Sequence, residues 1–225
     1  FPTVCPAEGC AVLAAVGYRA GNIPYNDGTP QSPNNGLYRS DSGEPDTFRK
    51  LTGGSTPAGG LSPVGFAPQN RIGRVELGAA EGPEQDHDYV YAIVEDVLLF
   101  NNGLPILDFP TDTKNPAIPI DCNDVPDGDP RFVCEQYAGG YSPTAFNGVY
   151  VSPDFGSTWI KLADDVEVTY NPATGSSLVG AVALGIGPGV QSWYDQWIKP
   201  DPTQAMGGVP TRVVFGLEEI WKNNL

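Results

Sequence analysis

Two stretches of the chain are versions of one unit, and this repetition constrains the fold more than any other feature. GLYRSDSGEPDTFRKL (36–51) and GVYVSPDFGSTWIKL (148–162) both begin with Gly, an aliphatic residue and Tyr. Each continues with a polar turn that contains Ser, then an aromatic residue, a basic residue and Leu. TRVVFGLEEIWKNNL (211–225) opens in a similar way. Repetition of a short-strand unit within one chain favours an all-β architecture of repeated sheets, as in a β-propeller.

Short predicted strands separated by turns account for most of the chain. Gly (28) and Pro (23) are frequent among the 225 residues, helix-forming residues are scarce, and β-branched and aromatic residues are common. Residues 101–145 show no periodicity and contain many Pro, Asp and Asn, so we interpret them as a long inserted loop. The predicted strands fall within 11–20, 34–52, 70–82, 88–100, 147–163, 165–171, 177–189, 193–200 and 211–223.

The turn of the second copy, SPDFGSTW (152–159), fits a known motif. It matches the Asp-box, or BNR repeat, with the pattern Ser/Thr-x-Asp-x-Gly-x-Thr/Ser-Trp/Phe, at every defined position: Ser152, Asp154, Gly156, Thr158 and Trp159. The first copy has altered spacing and forms a degenerate box at Ser40, Asp41, Gly43, Thr47 and Phe48. The chain therefore resembles the sialidase-like β-propeller superfamily, which includes sialidases, xyloglucanase-like glycoside hydrolases and sortilin-type Vps10 receptors.

Elementary chemistry gives the box a structural role. The carboxylate of Asp154 can accept hydrogen bonds from backbone N–H groups in a tight turn, and Gly156 can adopt the positive φ that the turn needs. The hydroxyls of Ser152 and Thr158 can hold the ends of the turn, while Trp159 packs its ring between neighbouring sheets. The resemblance implies the same role, because in that superfamily the box lies on outer strands, away from the funnel that binds substrate.

The resemblance implies about three visible propeller blades. Residues 1–52 would form a partial first blade, 53–163 a second blade with the inserted loop 101–145, and 164–225 an incomplete third blade. Because closed propellers have four to eight blades, we expect the remaining blades to come from another chain or from sequence not included here. A compact, self-sufficient β-sandwich is the competing fold.

The four cysteines form two local couples, Cys5 with Cys10 and Cys122 with Cys134. Four cysteines permit three connectivities, and the short loops favour this local pairing. Disulfides would place the protein outside the cytoplasm, in an extracellular, secreted or cell-surface location. The alternative is four free thiols in a cytosolic protein.

The net charge of −15 excludes some classes of partner. A protein this acidic does not bind nucleic acid by neutralising phosphates, and it is repelled by anionic membrane surfaces. No apolar run approaches the length of about 18 to 20 residues that a membrane helix needs. We therefore expect neither a nucleic-acid partner nor membrane insertion.

The loop DCNDVPDGDP (121–130) concentrates oxygen-bearing side chains of the kind that calcium prefers. Its spacing is not that of an EF-hand, and a solvated turn braced by a disulfide explains the same residues. No cofactor is required by the sequence, and calcium is the one metal that it could hold. The candidate ligands are Asp121, Asn123, Asp124, Asp127 and Asp129.

Glycoside hydrolysis needs two carboxyl groups at a set separation, or a Tyr nucleophile with a Glu in the sialidase manner. By position, the best catalytic candidates are Tyr194, Asp195 and Glu218. Trp193 and Trp197 alternate with Asp195 and could stack sugar rings on one face, although packing between blades is the favoured explanation for both. The single histidine, His87, lies in a polar loop before a predicted strand.

These features lead to one expectation and one alternative. The resemblance implies an extracytoplasmic, glycan-handling propeller segment that resembles glycoside hydrolases or binds carbohydrate. The alternative is a non-catalytic, secreted or cell-surface propeller that mediates protein–protein interaction or structural assembly. No complete catalytic set is visible, so the sequence leaves enzymatic activity open.

Overall fold

The computed structural model describes residues 10–17, 34–53, 61–97, 111–112, 115–119, 146–163, 168, 195–217 and 219–223. The elements whose bounds lie within these ranges are short β-strands and one 3-10 helix, Gln69–Arg71, while Val97 and Val168 are single described residues with helical backbone. The strands are β1 (Val12–Val16), β2 (Gly36–Ser40), β3 (Arg49–Lys50), β4 (Ile72–Ala79), β5 (Val90–Asp96), β6 (Thr111–Asp112), β7 (Asn115–Pro119), β8 (Phe146–Ser152), β9 (Ile160–Ala163), β10 (Trp197–Pro200), β11 (Ala205–Met206), β12 (Val209–Pro210), β13 (Val213–Gly216) and β14 (Ile220–Lys222).

Three of the sheets carry the architecture. Sheet 1 has the strand order β1-β2-β3, sheet 2 has β4-β5-β8-β9, and sheet 3 has β10-β13-β14. Two hairpins, β6-β7 and β11-β12, form separate small sheets. Every pairing is antiparallel, so the prediction of an all-β chain is confirmed for the described residues. Among these residues no helix is long and apolar enough to cross a membrane.

The structure corrects two parts of the predicted strand pattern. The segment 101–145, interpreted as a loop, contains the β6-β7 hairpin, and residues 205–210 form the unpredicted β11-β12 hairpin. Strands β6, β11 and β12 have two residues each, too few for a period-2 pattern, and β7 contains two prolines, which are uncommon within strands. The predicted strands at 165–171 and 177–189 lie outside the described residues, apart from Val168.

Sheet 2 is buried on both faces, and strand β5 shows this most clearly. All seven of its residues are buried. Val90, Ala92 and Val94 belong to a core shared with sheet 1, whereas Tyr91 and Ile93 belong to a core shared with sheet 3. A strand covered on both sides has no polar face, which explains its nearly continuous apolar sequence.

Strands β4 and β10 lie side by side, and a glycine permits their close approach. A Cβ atom at Gly78 of β4 would collide with the carbonyl oxygen of Ile198 in β10. Four residues later in the chain, just beyond the two strands, a Cβ atom at Gly82 would likewise collide with the carbonyl oxygen of Pro202. The two strands therefore run in the same direction, and their first residues lie at the same end of the sheets.

The repeated unit has the same backbone in sheets 1 and 2. Gly36 and Gly148 both precede an aliphatic residue and a Tyr, and their φ angles are 149° and 155°. Each follows a buried asparagine, Asn35 or Asn147. The serines four residues after the glycines, Ser40 and Ser152, are fully buried. The repetition that was read from the sequence is therefore a repetition of structure in the second strand of each hairpin.

Replacement of Gly148 by alanine tests how tightly this unit is packed. The new Cβ would lie 2.6 Å from the carbonyl oxygen of Ala163 in a conformation that L-residues rarely adopt. We expect Gly148→Ala to lower the free energy of unfolding by about 3 kcal/mol, measured by urea denaturation. Gly207→Ala is the control, because its φ is also positive (59°) but nothing lies within 4 Å of the added methyl. Equal losses in the two variants would contradict the packing argument.

Candidate functional site

The box turn, residues 152–159, joins β8 to β9 at one end of sheet 2. Ser152 Oγ donates to Asp154 Oδ1 (2.9 Å) and accepts from the backbone N–H groups of Asp154 (3.3 Å) and Gly156 (2.7 Å). Thr158 donates its backbone N–H to Asp154 Oδ1 and its hydroxyl to Asp154 Oδ2, both at 2.7 Å. The polar side chains of the box are thus occupied in holding its own backbone.

These hydrogen bonds control the ionisation of Asp154. Partial burial raises the pKa of its carboxyl group, but the hydrogen bonds from Thr158, Ser152 and the backbone of Ser157 outweigh burial and hold the pKa below its usual value. The charged form is therefore the one that the turn stabilises.

Two further contacts connect the box turn to the rest of the fold. The backbone N–H of Trp159 donates to the carbonyl of Val64 (2.7 Å), and its buried ring packs edge-on against Phe66 at 4.9 Å. Arg39 of sheet 1 donates to Ser157 Oγ (2.9 Å) and lies over the ring of Phe155 at 5.5 Å. Among the described residues, the turn contacts its own backbone and the neighbouring parts of the fold.

The degenerate box, between β2 and β3, keeps only part of this arrangement. Ser40 Oγ accepts from the backbone N–H of Gly43 (2.7 Å) and lies 2.5 Å from Thr47 Oγ1. Asp41 instead forms ion pairs with Arg39 (2.7 Å) and Arg49 (3.6 Å), outside the turn. Phe48 is 41% exposed, unlike the buried Trp159. The serine role is repeated in sheet 1, whereas the aspartate and aromatic roles are not.

The structure places few of the predicted site residues. Asp195 is half-buried just before β10, and Trp197 is 41% exposed with its indole against the backbone of Gly216. The imidazole Nε2 of His87 lies 3.2 Å from the carbonyl oxygen of Gly82.

Cys10 is disulfide-bonded to a residue outside the described ranges. Also outside them are Tyr194, Glu218, Trp193, Asp121, Asn123, Asp124, Asp127, Asp129, Cys5, Cys122 and Cys134.

The opposite end of sheet 2 carries a group of charged and amide side chains, which we call the polar edge. Its members come from the start of β4, the end of β5 and the start of β8, which the antiparallel pairing brings to one end. In sequence, β5 and β8 are connected at this end by residues 97–145, which include the β6-β7 hairpin. The members of the polar edge are Arg71, Arg74, Glu76, Glu95, Asp96 and Asn147.

One half of the polar edge is a buried network. Asp96 is fully buried, and its Oδ2 accepts from Arg71 Nε (2.5 Å) and from Asn147 Nδ2 (2.8 Å). The Oδ1 atom of Asn147 in turn accepts from the hydroxyl of Tyr150 (2.6 Å). A carboxylate held by a guanidinium and an amide in this way fixes the ends of three strands.

The other half is open to solvent. Arg74 donates through Nε (2.9 Å) and Nη2 (2.7 Å) to Glu76 Oε1, and both side chains are about one-third exposed. The backbone N–H of Arg74 donates to Oε2 of the buried Glu95 (2.8 Å), and the Glu95 side chain lies against Gly73. This half presents both donors and acceptors at the surface.

Sheet 3 adds polar groups at the same end, because β10 runs parallel to β4. Asp195 and Gln196 immediately precede β10, and Glu219 follows β13, whose last residue Gly216 pairs with Trp197. Gln196 is 2% exposed, and among the described residues neither its side-chain Nε2 nor its Oε1 has a hydrogen-bond partner. Buried amides without partners are rare, and they mark places where a polar ligand or water is expected.

Sequence reasoning found Asp195 in this region but missed most of the polar edge. Residues such as Glu95 and Asp96 end an apolar strand, and in the linear sequence they cannot be told from ordinary turn residues. The detectable signal is a pair of ionisable residues that ends a strand buried on both faces, at the end opposite the box. Among the described residues, no three His, Cys, Asp or Glu side chains are grouped as metal ligands.

Comparisons with known proteins give no further guide to the site. No family model, curated protein or solved structure matches the chain. The relationship to Asp-box proteins therefore depends on the residues of the box itself and remains a proposal.

Because the pKa of Asp154 is lowered in the folded chain, we expect its contribution to the free energy of unfolding to depend on pH. Its stabilising effect should be complete above the unfolded-state pKa of about 4 and be lost as the pH falls through the lower folded-state pKa. We expect Asp154→Asn to be clearly less stable than the native chain at pH 7 and to approach it near pH 2. Urea denaturation across this range measures the difference. Asp41→Asn is the control, since the carboxylate of Asp41 forms ion pairs with Arg39 and Arg49 on the flanking strands, and a similar pH-dependent loss there would contradict the assignment.

The buried network around Asp96 should contribute more to the free energy of unfolding than the exposed pair of Arg74 and Glu76. Arg71→Met removes the guanidinium that pairs with the buried carboxylate of Asp96, and we expect a loss of about 3 kcal/mol in the free energy of unfolding. Arg74→Met breaks a partly exposed ion pair, and we expect a loss below about 1 kcal/mol. Urea denaturation of both variants at pH 7 gives the comparison, and a reversed order would show that Asp96 does not depend on Arg71.

Proposed function

We propose that the chain is part of an extracytoplasmic, sialidase-like β-propeller of the Asp-box kind, and that the polar edge is its glycan-binding site. The observation that carries this proposal is the separation of roles between the two ends of sheet 2. One end is closed by the box turn, whose polar side chains hold its own backbone, and the other end carries exposed and buried polar groups.

The three sheets support the propeller arrangement. Sheets 1, 2 and 3 have three, four and three described strands, and each is an antiparallel meander in chain order apart from the hairpins inserted in sheets 2 and 3. Sheet 2 matches a complete blade, in which β4 is the inner strand and the box turn precedes the outer strand β9. Contact between β4 and β10 fits two neighbouring inner strands. The sheets fall within the segments 1–52, 53–163 and 164–225 that the repeats suggest as blades.

The chemistry of the polar edge suits sugar hydroxyls. Arg74 and Glu76 form a partly exposed pair, in which nitrogen donors lie beside carboxylate acceptors. Adjacent hydroxyls of a sugar can both donate and accept, so such a pair can bind them at two points. Trp197 is exposed on β10 and offers an aromatic surface near the same end.

The same geometry favours binding over hydrolysis. A glycosidase needs two carboxyl groups that reach the substrate, whereas Glu95 and Asp96 are fully buried. Glu76 is the accessible carboxylate of the polar edge, and it is held by Arg74. Hydrolysis would need a second group, for which Asp195, Tyr194 and Glu218 are the candidates.

The proposed location and partners follow from other features. The disulfide at Cys10 supports an oxidising compartment. We propose that the remaining blades come from another chain or from sequence not included here, and that the 121–130 loop could hold calcium. A net charge of −15 favours neutral glycans over sialosides as ligands.

Binding to soluble β-glucan and xyloglucan oligosaccharides, with sialosides for comparison, tests the proposal by isothermal titration calorimetry. We expect binding of a neutral oligosaccharide, weakened about tenfold by Arg74→Met and by Glu76→Gln. Arg212→Met and Glu81→Gln are matched controls, because both residues lie in exposed ion pairs at the opposite end of the sheets. They should bind as the native chain does.

The outcomes separate the two functions under consideration. Absence of binding to every oligosaccharide, or equal losses in the control variants, would overturn the glycan proposal and leave the non-catalytic, protein-binding propeller as the better hypothesis. Turnover of a bound oligosaccharide that disappears in Asp195→Asn or Glu218→Gln would show hydrolysis.

A further inference from the structure

Two buried glutamines lie at opposite ends of the gap between sheets 2 and 3. Gln85, in the loop between β4 and β5, is 7% exposed, and Gln196, immediately before β10, is 2% exposed. Oε1 of Gln85 accepts from the backbone N–H of Gly82 (2.9 Å). Its Nε2 donates to the carbonyl oxygens of Asp201 (2.7 Å) and Gln204 (3.1 Å). Gln85 therefore uses its whole amide to join sheet 2 to the chain that follows β10.

Gln196 buries the same amide without such bonds. Both its Oε1 and its Nε2 are buried, and neither has a hydrogen-bond partner within the described part of the chain. Gln196 lies two residues before Ile198, which belongs to the core shared with sheet 2, and the exposed Trp197 stands between them. Because alternate residues of an extended chain point to the same face, the side chain of Gln196 points into the gap. A buried amide in this state costs free energy.

The polar edge of sheet 2 lines the other side of the gap at this level. Gly78 of β4 lies against the backbone of Ile198 in β10, and the two strands are parallel. Two residues earlier on each strand, Glu76 and Gln196 therefore stand at the same level, and Glu76 shares the face of Gly78. Arg74 donates to Glu76 Oε1 on that face. The exposed pair of the polar edge and the amide of Gln196 thus belong to one gap.

We propose that Gln196 is a specificity-determining residue of the glycan site, and that its amide binds two adjacent hydroxyls of a neutral sugar held by Arg74 and Glu76. Oε1 accepts from one hydroxyl, and Nε2 donates to the oxygen of the other. This inference rests on the proposed function, and it adds a residue of sheet 3 to a site that is otherwise formed by sheet 2.

Rotation of the Gln196 side chain brings the amide to the ligand. The residue precedes Trp197, the first residue of β10 that pairs with β13, so the strand ladder does not hold its position. Glutamine has several rotatable bonds, each with more than one favoured angle. No hydrogen bond to the described residues is broken when the amide turns towards the edge. The same movement at Gln85 would break three hydrogen bonds.

The chemistry of the gap selects a neutral ligand. An amide presents one acceptor and two donor hydrogens, which match hydroxyls that both donate and accept. A ligand carboxylate only accepts, so it would leave Oε1 of Gln196 without a donor. It would also approach the carboxylates of Glu76 and of the half-buried Asp195. The site therefore binds neutral sugars in preference to acidic ones.

Replacement of each glutamine by leucine tests the assignment with cellohexaose and xyloglucan oligosaccharides as probes. In Gln196→Leu we expect binding at least tenfold weaker by isothermal titration calorimetry, with a urea midpoint unchanged or higher, since an unpaired buried amide is replaced by an apolar group. Gln85→Leu is the matched control at the other end of the gap. It should bind as the native chain does, with a urea midpoint lower by about 1 M.

NMR of the native chain gives a measurement that needs no variant to fold. In the isotope-labelled chain, titration with the same oligosaccharides should shift the side-chain amide signals of Gln196. The side-chain amide signals of Gln85 should stay in place, because its hydrogen bonds are all within the fold.

The outcomes separate this inference from the proposed function. If the native chain binds neither oligosaccharide, both are wrong. If it binds one of them and Arg74→Met weakens binding, but Gln196→Leu binds as the native chain does and the Gln196 amide does not shift, only the role of Gln196 is wrong. A urea midpoint that falls as far in Gln196→Leu as in Gln85→Leu would also overturn it, since the amide would then hold the fold together.

Discussion

Burial of both faces of sheet 2 is the constraint on which the rest of the structure depends. Strand β5 sends alternate side chains into two separate cores, one shared with sheet 1 and the other with sheet 3. Neither core can form without the neighbouring sheet, because a sheet with two apolar faces needs a cover on each. The close contact at Gly78, the box turn and the strand-end network all serve to hold this stack of sheets in register.

Much of the fold was readable because the relevant signals are local. The unit around Tyr38 and Tyr150 repeats in sequence, and the all-β class, the hairpins and the box turn follow from it. The Asp-box residues form the turn contacts that their chemistry predicts, since each partner lies within four residues along the chain. The aspartate of the degenerate copy was harder to assign, because altered spacing frees Asp41 to pair with Arg39 and Arg49.

The candidate site was less readable because its residues are distant in sequence. Arg71, Asp96 and Asn147 are brought together only by the strand pairing of sheet 2, and the segment between the last two is about fifty residues long. Nothing in a linear pattern indicates that Asp96 will be fully buried beside an arginine. The contacts of Lys50 with the ring of Tyr38 and of Lys161 with the ring of Tyr150 were similarly hidden, since the shared Lys-Leu sequence has no evident role until the strands are paired.

Arg39 gives the arrangement a property that a stack of independent sheets would lack. Its guanidinium leaves sheet 1 and binds the box turn of sheet 2, while Trp159 of that turn packs into the core between the two. The hydrogen bonds that define one sheet's turn are thus completed by the previous sheet. In repeat proteins, strong coupling between neighbours makes unfolding spread along the whole array instead of stopping at one unit. We therefore expect sheets 1 and 2 to melt together, as one cooperative unit, although each has its own strand pairing.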